Sequence, residues 1–346
     1  MPKETIDIKV VDTHVNGVID GDRRILAKTI TLVESTHPDH RNLTRIILDR
    51  LLPHTGNAIR LGITGVPGVG KSTFIESLGL MLVEKGHQLA VLAVDPSSPL
   101  SGGSILADKT RMASLCAAEN AFIRPSPSSG TLGGVARMTR EAMLVCEAAG
   151  FDVIFVETVG VGQSETSVHS MVDFFLVLML AGAGDELQGI KKGVVELADA
   201  LVINKADGDN MVRAKKAQKE YKNALHLLSP GSTHWQPPVT TCSALTRKGL
   251  LKIWEMISKH RQIMIDSGEL IENRKRQNRQ WMWSLLEEGL KENFIKNKHV
   301  KNRLPGLMRE VDTGNITPSA AARELLSLTS HDGPTKLELI LRKQTK

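Results

Sequence analysis

A glycine-rich segment in the first quarter of the chain has the residue types and spacing of a phosphate-binding loop. Residues 65–73 read Gly-Val-Pro-Gly-Val-Gly-Lys-Ser-Thr and match G-x-x-x-x-G-K-[ST]. In such a loop the backbone N–H groups surround the phosphates, Lys71 reaches the β- and γ-phosphates as a catalytic residue, and the Ser72 hydroxyl is a ligand for Mg²⁺. The predicted nucleotide contacts are Gly65, Val66, Pro67, Gly68, Val69, Gly70, Lys71, Ser72 and Thr73.

A second segment indicates that the bound base is guanine. Asn204-Lys205-Ala206-Asp207 matches N-K-x-D and directly follows an apolar run. The Asp207 carboxylate can accept hydrogen bonds from guanine N1–H and from the 2-amino group, whereas adenine has neither donor and would leave the carboxylate unpaired. Asn204 and Lys205 brace the loop and the ring. A later S-A-x element, which presents a backbone N–H to guanine O6, consists of Ser243, Ala244 and Leu245.

Acidic residues near the ends of predicted strands are candidates for a Mg²⁺ site. Asp95, Asp108 and Glu157 offer the hard oxygen ligands that Mg²⁺ prefers. Glu157-x-x-Gly160 resembles the D-x-x-G switch, so Glu157 is also a predicted catalytic residue and Gly160 a predicted contact of the γ-phosphate. Val161 stands where many small GTPases have a glutamine that orients water. We therefore expect slow intrinsic hydrolysis until a partner or a rearrangement completes the site.

The elements that must position these residues follow from apolar runs. Each run is almost continuous, as in strands buried on both faces of a mostly parallel, doubly wound α/β sheet. The six predicted strands are 59–64, 89–94, 153–156, 174–180, 201–203 and 239–242. We predict an N-terminal helical segment at 1–55, a P-loop GTPase domain at 56–262 and a C-terminal helical extension at 263–346. Breaks in the extension are expected at 305–306 and 314–318.

Composition and charge argue against nucleic acid and membranes as partners of this chain. The net charge of +6 in 346 residues is concentrated between residues 259 and 303, where the basic residues are not interleaved with aromatics. A solvated helical face is favoured there over a nucleic-acid surface. Three separated cysteines indicate a reducing compartment, and the longest apolar run, about ten residues, is too short to span a bilayer. We expect a cytoplasmic protein without nucleic-acid or membrane partners.

With these motifs in place, the chain resembles the MeaB/ArgK/MMAA-type P-loop GTPases, the chaperones of adenosylcobalamin-dependent acyl-CoA mutases. The resemblance extends over most of the chain. Beside the phosphate-binding and guanine motifs, it depends on two long strings, Glu-Thr-Val-Gly-Val-Gly-Gln-Ser-Glu at 157–165 and Gly-Asp-Glu-Leu-Gln-Gly-Ile-Lys-Lys at 184–192. Shorter matches lie at 94–98, 101–105 and 108–111.

The resemblance implies a GTPase with Mg²⁺ as cofactor that forms a homodimer through the C-terminal extension. It implies that the protein binds methylmalonyl-CoA mutase or a related mutase, gates cofactor loading and protects the radical enzyme. A cobalamin adenosyltransferase is a further candidate partner. It also implies that Asp185, Gln188 and Lys191 belong to a switch that relays the GTP or GDP state. From the residues alone, that segment could equally be a strand-to-helix loop with a capping Asp.

Three alternatives stay open at this point. A nickel-insertion GTPase of the hydrogenase or urease maturation type would need His and Cys ligands, but the eleven histidines form no H-x-H motif. A kinase of amino-acid transport, the older ArgK label, conflicts with the guanine motif. A non-catalytic docking module conflicts with an intact Lys71, Ser72 and Glu157.

Overall fold

The computed structural model describes residues 7–35, 37–94, 112–125, 132–158, 164–181, 192–225 and 234–329. The chain divides into two compact units, Met1–Arg274 and Lys275–Lys346. The domain boundaries predicted after residues 55 and 262 stay predictions. No described helix is long and apolar enough to cross a membrane.

The first unit is built on a parallel sheet of seven strands. The strands are β1 Ile59–Gly65, β2 Leu89–Val94, β3 Ala121–Arg124, β4 Val153–Thr158, β5 Phe174–Met179, β6 Ala200–Ile203 and β7 Val239–Thr241. Their order across the sheet is β3-β2-β4-β1-β5-β6-β7, and all paired strands are parallel. The predicted α/β class is therefore confirmed. All six predicted strands are present, with ends shifted by at most two residues. The edge strand β3 was not predicted, because its four residues are too few to show a pattern.

Helices flank this sheet and form the second unit. They are α1 Ile8–Ile19, α2 Arg23–Val33, α3 Pro38–Leu51, α4 Lys71–Glu84, α5 Ala113–Ala117, α6 Leu132–Ala148, α7 Ser164–His169, α8 Lys192–Glu196, α9 Met211–Leu225, α10 Leu250–Asp266, α11 Glu269–Lys296, α12 Lys298–Asp312 and α13 Pro318–Ser327. Side-chain caps fix several starts. The Asp22 carboxylate accepts from the N–H groups of Arg24 and Ile25 at 2.8 and 3.1 Å.

Two apolar layers cover the two faces of the sheet. Successive side chains of a strand point to opposite faces. In β4, Ile154 and Val156 enter the layer formed with α1, α2, α3, α6 and α9, while Val153 and Phe155 enter the layer formed with α4 and α10. The predicted N-terminal helices are thus part of the first unit, because their apolar faces pack beside α6.

A network of ion pairs lies at the amino ends of β1 and β5. Arg60 makes a bidentate pair with Glu147 of α6, with distances of 2.7 and 3.1 Å. Arg274, near the start of α11, donates to both carboxylate oxygens of Asp173 at 2.8 and 2.6 Å. Its guanidinium also donates to the carbonyl oxygens of Gly56 and, at 2.7 Å, Ala58. Arg274 therefore binds the beginning of α11 to the edge of the sheet.

In the second unit, α12 continues through Pro305, so the predicted break at 305–306 is wrong. A proline removes one helical hydrogen bond. Here packing outweighs that loss, because Val300 and Leu307, two turns apart on one face, are almost fully buried. The Arg303 guanidinium adds contacts to Glu310 and Glu324 at 2.8 and 2.7 Å. The predicted break at 314–318 is confirmed between α12 and α13.

Candidate nucleotide-binding site

The phosphate-binding loop connects the end of β1 to the start of α4. Gly68 and Gly70 have φ angles of 78° and 91°, in the left-handed region that favours glycine. Gly65 is needed for another reason, because a Cβ atom there would lie 2.6 Å from the carbonyl oxygen of Leu178 in β5. The local sequence thus folds into a tight loop whose backbone can approach an anion at a helix N-terminus.

Lys71, the first residue of α4, is half-buried beside this loop. Its Nζ donates to the carbonyl oxygen of Gly65 at 2.7 Å. Burial lowers the pKa of Lys71, and the negative charges of Glu157 and Glu165 oppose that shift. The ammonium group is therefore partly desolvated and near two carboxylates. A phosphate anion at the loop would favour its charged form.

The same shift identifies Glu165 as a residue that the site prediction missed. Glu165 lies in α7, is 7% exposed and is close enough for its charge to act on Lys71. Its only sequence signal was its place at the end of the string 157–165, which gives no position in space. Glu165 is therefore a buried carboxylate whose negative charge favours the charged form of Lys71.

Glu157 lies beside the phosphate-binding loop because β4 pairs with β1. It is half-buried, and its register partner in β1 is Ile63. The next residue, Thr158, donates its hydroxyl to the hydroxyl oxygen of Thr64 at 2.7 Å and joins the two strand ends. Ser72 is half-buried in the first turn of α4. The structure therefore places two of the four predicted Mg²⁺ ligands, Ser72 and Glu157, at one edge of the sheet.

The other predicted residues of the metal site and the switches lie outside the described residues. They are Asp95, Asp108, Gly160, Asp185, Gln188 and Lys191.

Asn204 joins the guanine segment to the phosphate-binding loop. It directly follows β6 and is almost fully buried. Its Nδ2 donates to the carbonyl oxygen of Val69 at 2.9 Å. Its Oδ1 accepts from the Ala244 N–H at 3.1 Å and from the Cys242 thiol at 3.5 Å. Burial, with a further effect from Asp207, raises the pKa of Cys242 to about 12, so the thiol stays protonated as a donor.

Lys205 makes a second connection between the two loops. It has a φ of 58°, an uncommon conformation for a residue with a side chain. Its Nζ donates to the carbonyl oxygen of Gly68 at 2.8 Å, so its stem extends over the phosphate-binding loop. The Asn210 side chain fixes the turn by donating to the Lys205 carbonyl oxygen at 2.7 Å.

The Asp207 carboxylate is oriented by the S-A-x element. Asp207 is half-buried, and its Oδ2 accepts a hydrogen bond from the Ser243 hydroxyl. Ser243 Oγ accepts in turn from the Thr246 N–H at 3.1 Å. Leu245, beside them, is 80% exposed. The structure therefore brings the predicted guanine residues together, with one carboxylate in a fixed orientation at the end of β6.

Comparison with known proteins agrees with this geometry. The family model described as "Methylmalonyl Co-A mutase-associated GTPase MeaB" matches residues 26–299. The chain is 49% identical to GTPase ArgK of Escherichia coli over 305 residues, which are 88% of this chain and 92% of that protein. It is 47% identical over 328 residues to the mitochondrial methylmalonic aciduria type A homolog of Mus musculus, covering 92% and 79% of the two chains.

A solved structure has the same fold over nearly the whole chain. It is described as "Crystal structure of LAO/AO transport system kinase" and superimposes with a TM-score of 0.74 at 40% identity. The match covers 94% of this chain and 99% of that one.

Proposed function

The chain belongs to the MeaB family of P-loop GTPases, and from that premise we propose that it acts as a nucleotide-dependent chaperone of an adenosylcobalamin-dependent acyl-CoA mutase. In this proposal the GTPase binds the mutase, gates cofactor loading and protects the radical enzyme. The nucleotide dependence is supported by the Asn204 side chain, which binds the phosphate-binding loop and the guanine segment together. The family description and the name of the mouse relative support the choice of a methylmalonyl-CoA mutase as partner.

In the proposed GTP complex, the phosphate-binding loop holds the triphosphate and Lys71 neutralises the β- and γ-phosphates. The hydroxyl of Ser72 and the carboxylate of Glu157 are hard oxygen donors that fit Mg²⁺, with Asp95 and Asp108 as further ligands. Mg²⁺ bound there would neutralise charge on the phosphates. Glu157 acts as a catalytic residue from the end of β4, and Gly160 offers its N–H to the γ-phosphate.

Base selection is assigned to Asp207. Its carboxylate, oriented by Ser243, accepts from guanine N1–H and the 2-amino group, and Lys205 covers the ring. ATP would leave that carboxylate without a donor. A site that selects GTP over ATP favours a GTPase over the kinase that the description of the solved relative names.

Homodimer formation is assigned to the second half of α11, from Met282 onward. Met282, Leu286 and Leu290 recur at four-residue spacing, with Trp283 beside them, and each is between 45% and 61% exposed. Residues at this spacing form one stripe along a helix. An exposed apolar stripe of this size supports contact with a second protein surface, here another copy of the chain.

Relay to the mutase is assigned to Asp185, Gln188 and Lys191, by resemblance to the family switch. Val161 at the glutamine position supports slow hydrolysis until the partner completes the site. We place the protein in the cytoplasm, which is consistent with its three free cysteines.

The proposal is tested by a pull-down from the native cell with the full chain loaded with GDP or with a non-hydrolysable GTP analogue. We expect a cobalamin-dependent mutase to be retained, in amounts that depend on the nucleotide, and a cobalamin adenosyltransferase to be retained with it. Equal binding of ATP and GTP by the purified chain would contradict the GTPase site. Retention of no cobalamin enzyme in either state would contradict the chaperone role alone.

A further inference from the structure

One buried hydroxyl of α4 is bonded to the guanine segment instead of to its own helix. The Ser77 Oγ donates to the backbone carbonyl oxygen of Ala244 at 2.7 Å, and both residues are buried. A serine or threonine inside a helix often bonds the carbonyl four residues earlier. Thr139 of α6 does so, with its Oγ1 at 2.9 Å from the Val135 carbonyl oxygen. The Ser77 contact instead connects residues that are 167 positions apart.

This contact fixes the peptide group between Ala244 and Leu245. A trans peptide is planar, so its C=O and N–H point in opposite directions. Because the carbonyl oxygen is held against α4, the Leu245 N–H must point away from α4. Leu245 is itself 80% exposed, and it lies two residues after Ser243, the residue whose hydroxyl donates to the Asp207 carboxylate.

The neighbouring N–H group is already used. The Ala244 N–H donates to Asn204 Oδ1 at 3.1 Å. Within the described part of the chain, no protein acceptor is bonded to the Leu245 N–H. On a guanine ring, the 6-oxo group is adjacent to the N1–H that Asp207 would accept. The N–H of Leu245 is therefore the donor in this segment that remains for the 6-oxo group.

We propose that Ser77 is a positioning residue for guanine recognition, because it holds the Ala244–Leu245 peptide with the Leu245 N–H facing the 6-oxo group of the base. The inference depends on the guanine-nucleotide binding proposed above and identifies the residue that sets the contact at purine position 6. Without the hydroxyl, the buried Ala244 carbonyl oxygen loses its partner and the peptide can rotate. The 6-oxo contact weakens, while the phosphate contacts stay.

The test compares GDP with 6-thio-GDP, in which sulfur, a weaker acceptor, replaces O6 and the Asp207 edge is kept. Dissociation constants are measured by calorimetry for the full-length wild type, Ser77→Ala, Ser77→Thr and the control Thr139→Val. We expect Ser77→Ala to weaken GDP binding about five- to tenfold and 6-thio-GDP binding less than about twofold. Ser77→Thr keeps the hydroxyl, so it and the control should stay within about twofold of wild type for both nucleotides.

A second variant reaches the same contact without altering Ser77. Leu245→Pro removes the N–H directly, so the double variant should bind GDP no more weakly than Leu245→Pro alone. Equal losses for GDP and 6-thio-GDP in Ser77→Ala, additive losses in the double variant, or no rescue by Ser77→Thr would overturn the inference. A wild type that binds ADP as tightly as GDP would instead overturn the proposed function, so the two failures are distinguishable.

Discussion

At the scale of single residues, recognition depends on side chains that hold other side chains in place. Asn204 makes three hydrogen bonds to two other segments, the phosphate-binding loop and the segment after β7, and Ser243 orients Asp207. Contacts within the protein thus hold the side chains of the pocket in place. Such preorganisation lowers the cost of binding, because fewer groups must be ordered when the nucleotide arrives.

Substitution of Asp207 by Asn should change which base is bound. An amide keeps one acceptor for N1–H but places a donor against the 2-amino group, so GDP binding should weaken at least about 100-fold. Xanthine carries an oxygen at position 2 and should gain affinity. Competition between GDP and XDP on both proteins measures this exchange.

Asp209→Asn is the matched control, since Asp209 is exposed in the same turn. It should leave both affinities unchanged. If Asp207→Asn kept the wild-type preference for GDP, Asp207 would not be the base-selecting group.

The motif residues were predictable from sequence, whereas their supports were not. Asp207 and Lys71 stand in short patterns whose spacing is fixed by the local backbone. Ser77 and Glu165 have no such pattern, because their roles arise only where α4 comes close to the segment after β7 and to α7. The residues outside the described ranges, Asp95 and Lys191 among them, stay predictions.

At the scale of elements, β5 and β6 begin at a half-buried carboxyl group, that of Asp199, whose pKa is raised. Asp199 Oδ2 accepts from the Phe175 N–H at 2.8 Å, and the Trp235 indole donates to the Asp199 carbonyl oxygen at 2.8 Å. Burial raises the pKa of Asp199 to about 7, despite the Phe175 hydrogen bond, and the charge of Asp173 adds to the increase. The group is therefore largely protonated in the folded protein below neutral pH.

This raised pKa makes stability depend on pH in a defined direction. Between about pH 4 and 7 the folded protein binds the Asp199 proton and the unfolded chain does not, so this group's contribution to stability falls as pH rises. Asp199→Asn keeps an acceptor for Phe175 and removes the ionisation. Relative to wild type, the variant should gain about 1–3 kcal/mol between pH 5 and pH 8 in urea unfolding.

The contribution of His260 to stability changes with pH in the opposite direction, because burial between Phe174 and Trp235 lowers the pKa of His260 to about 4. Its contribution is lost as pH falls below about 6.5. The difference between wild type and Asp199→Asn cancels this background. Parallel pH profiles for the two proteins would rule out a protonated Asp199.

Six of the seven strands and the helical regions at both ends of the chain were readable from apolar runs. Two elements were not. β3 has only four residues and pairs only with β2 at the edge of the sheet, so its apolar run is too short to be recognised as a strand. Pro305 is a helix breaker by intrinsic preference, but burial of Val300 and Leu307 on one face keeps α12 continuous. In both cases contacts with other parts of the chain determine the secondary structure: pairing with β2 for β3, and burial of one face for α12.

At the scale of the whole molecule, the apolar stripe of α11 determines the expected oligomeric state. Leu286→Glu combined with Leu290→Glu places two charges on that stripe, where burial against a second copy would be unfavourable. We expect the variant to sediment as a monomer and the wild type as a dimer, with GDP affinity unchanged to within about twofold, since both residues lie outside the nucleotide pocket.

Ser284→Glu is the control, because Ser284 is exposed and points away from the stripe on the same helix. It should remain dimeric. A double variant that sediments like the wild type would exclude this face from the dimer contact.

The Arg274 contacts also decide where the polypeptide can be cut. Only 8% of the Asp173 side chain is exposed. Losing its guanidinium partner should therefore lower the free energy of unfolding by about 3–5 kcal/mol. A chain ended at residue 268 should therefore melt well below one ended at 280, although both retain every nucleotide motif; equal melting temperatures would deny Arg274 this role. Any minimal catalytic fragment, whether produced by a protease or by a stop codon, has to carry the first turns of α11, although the sequence alone assigns that helix to the C-terminal extension.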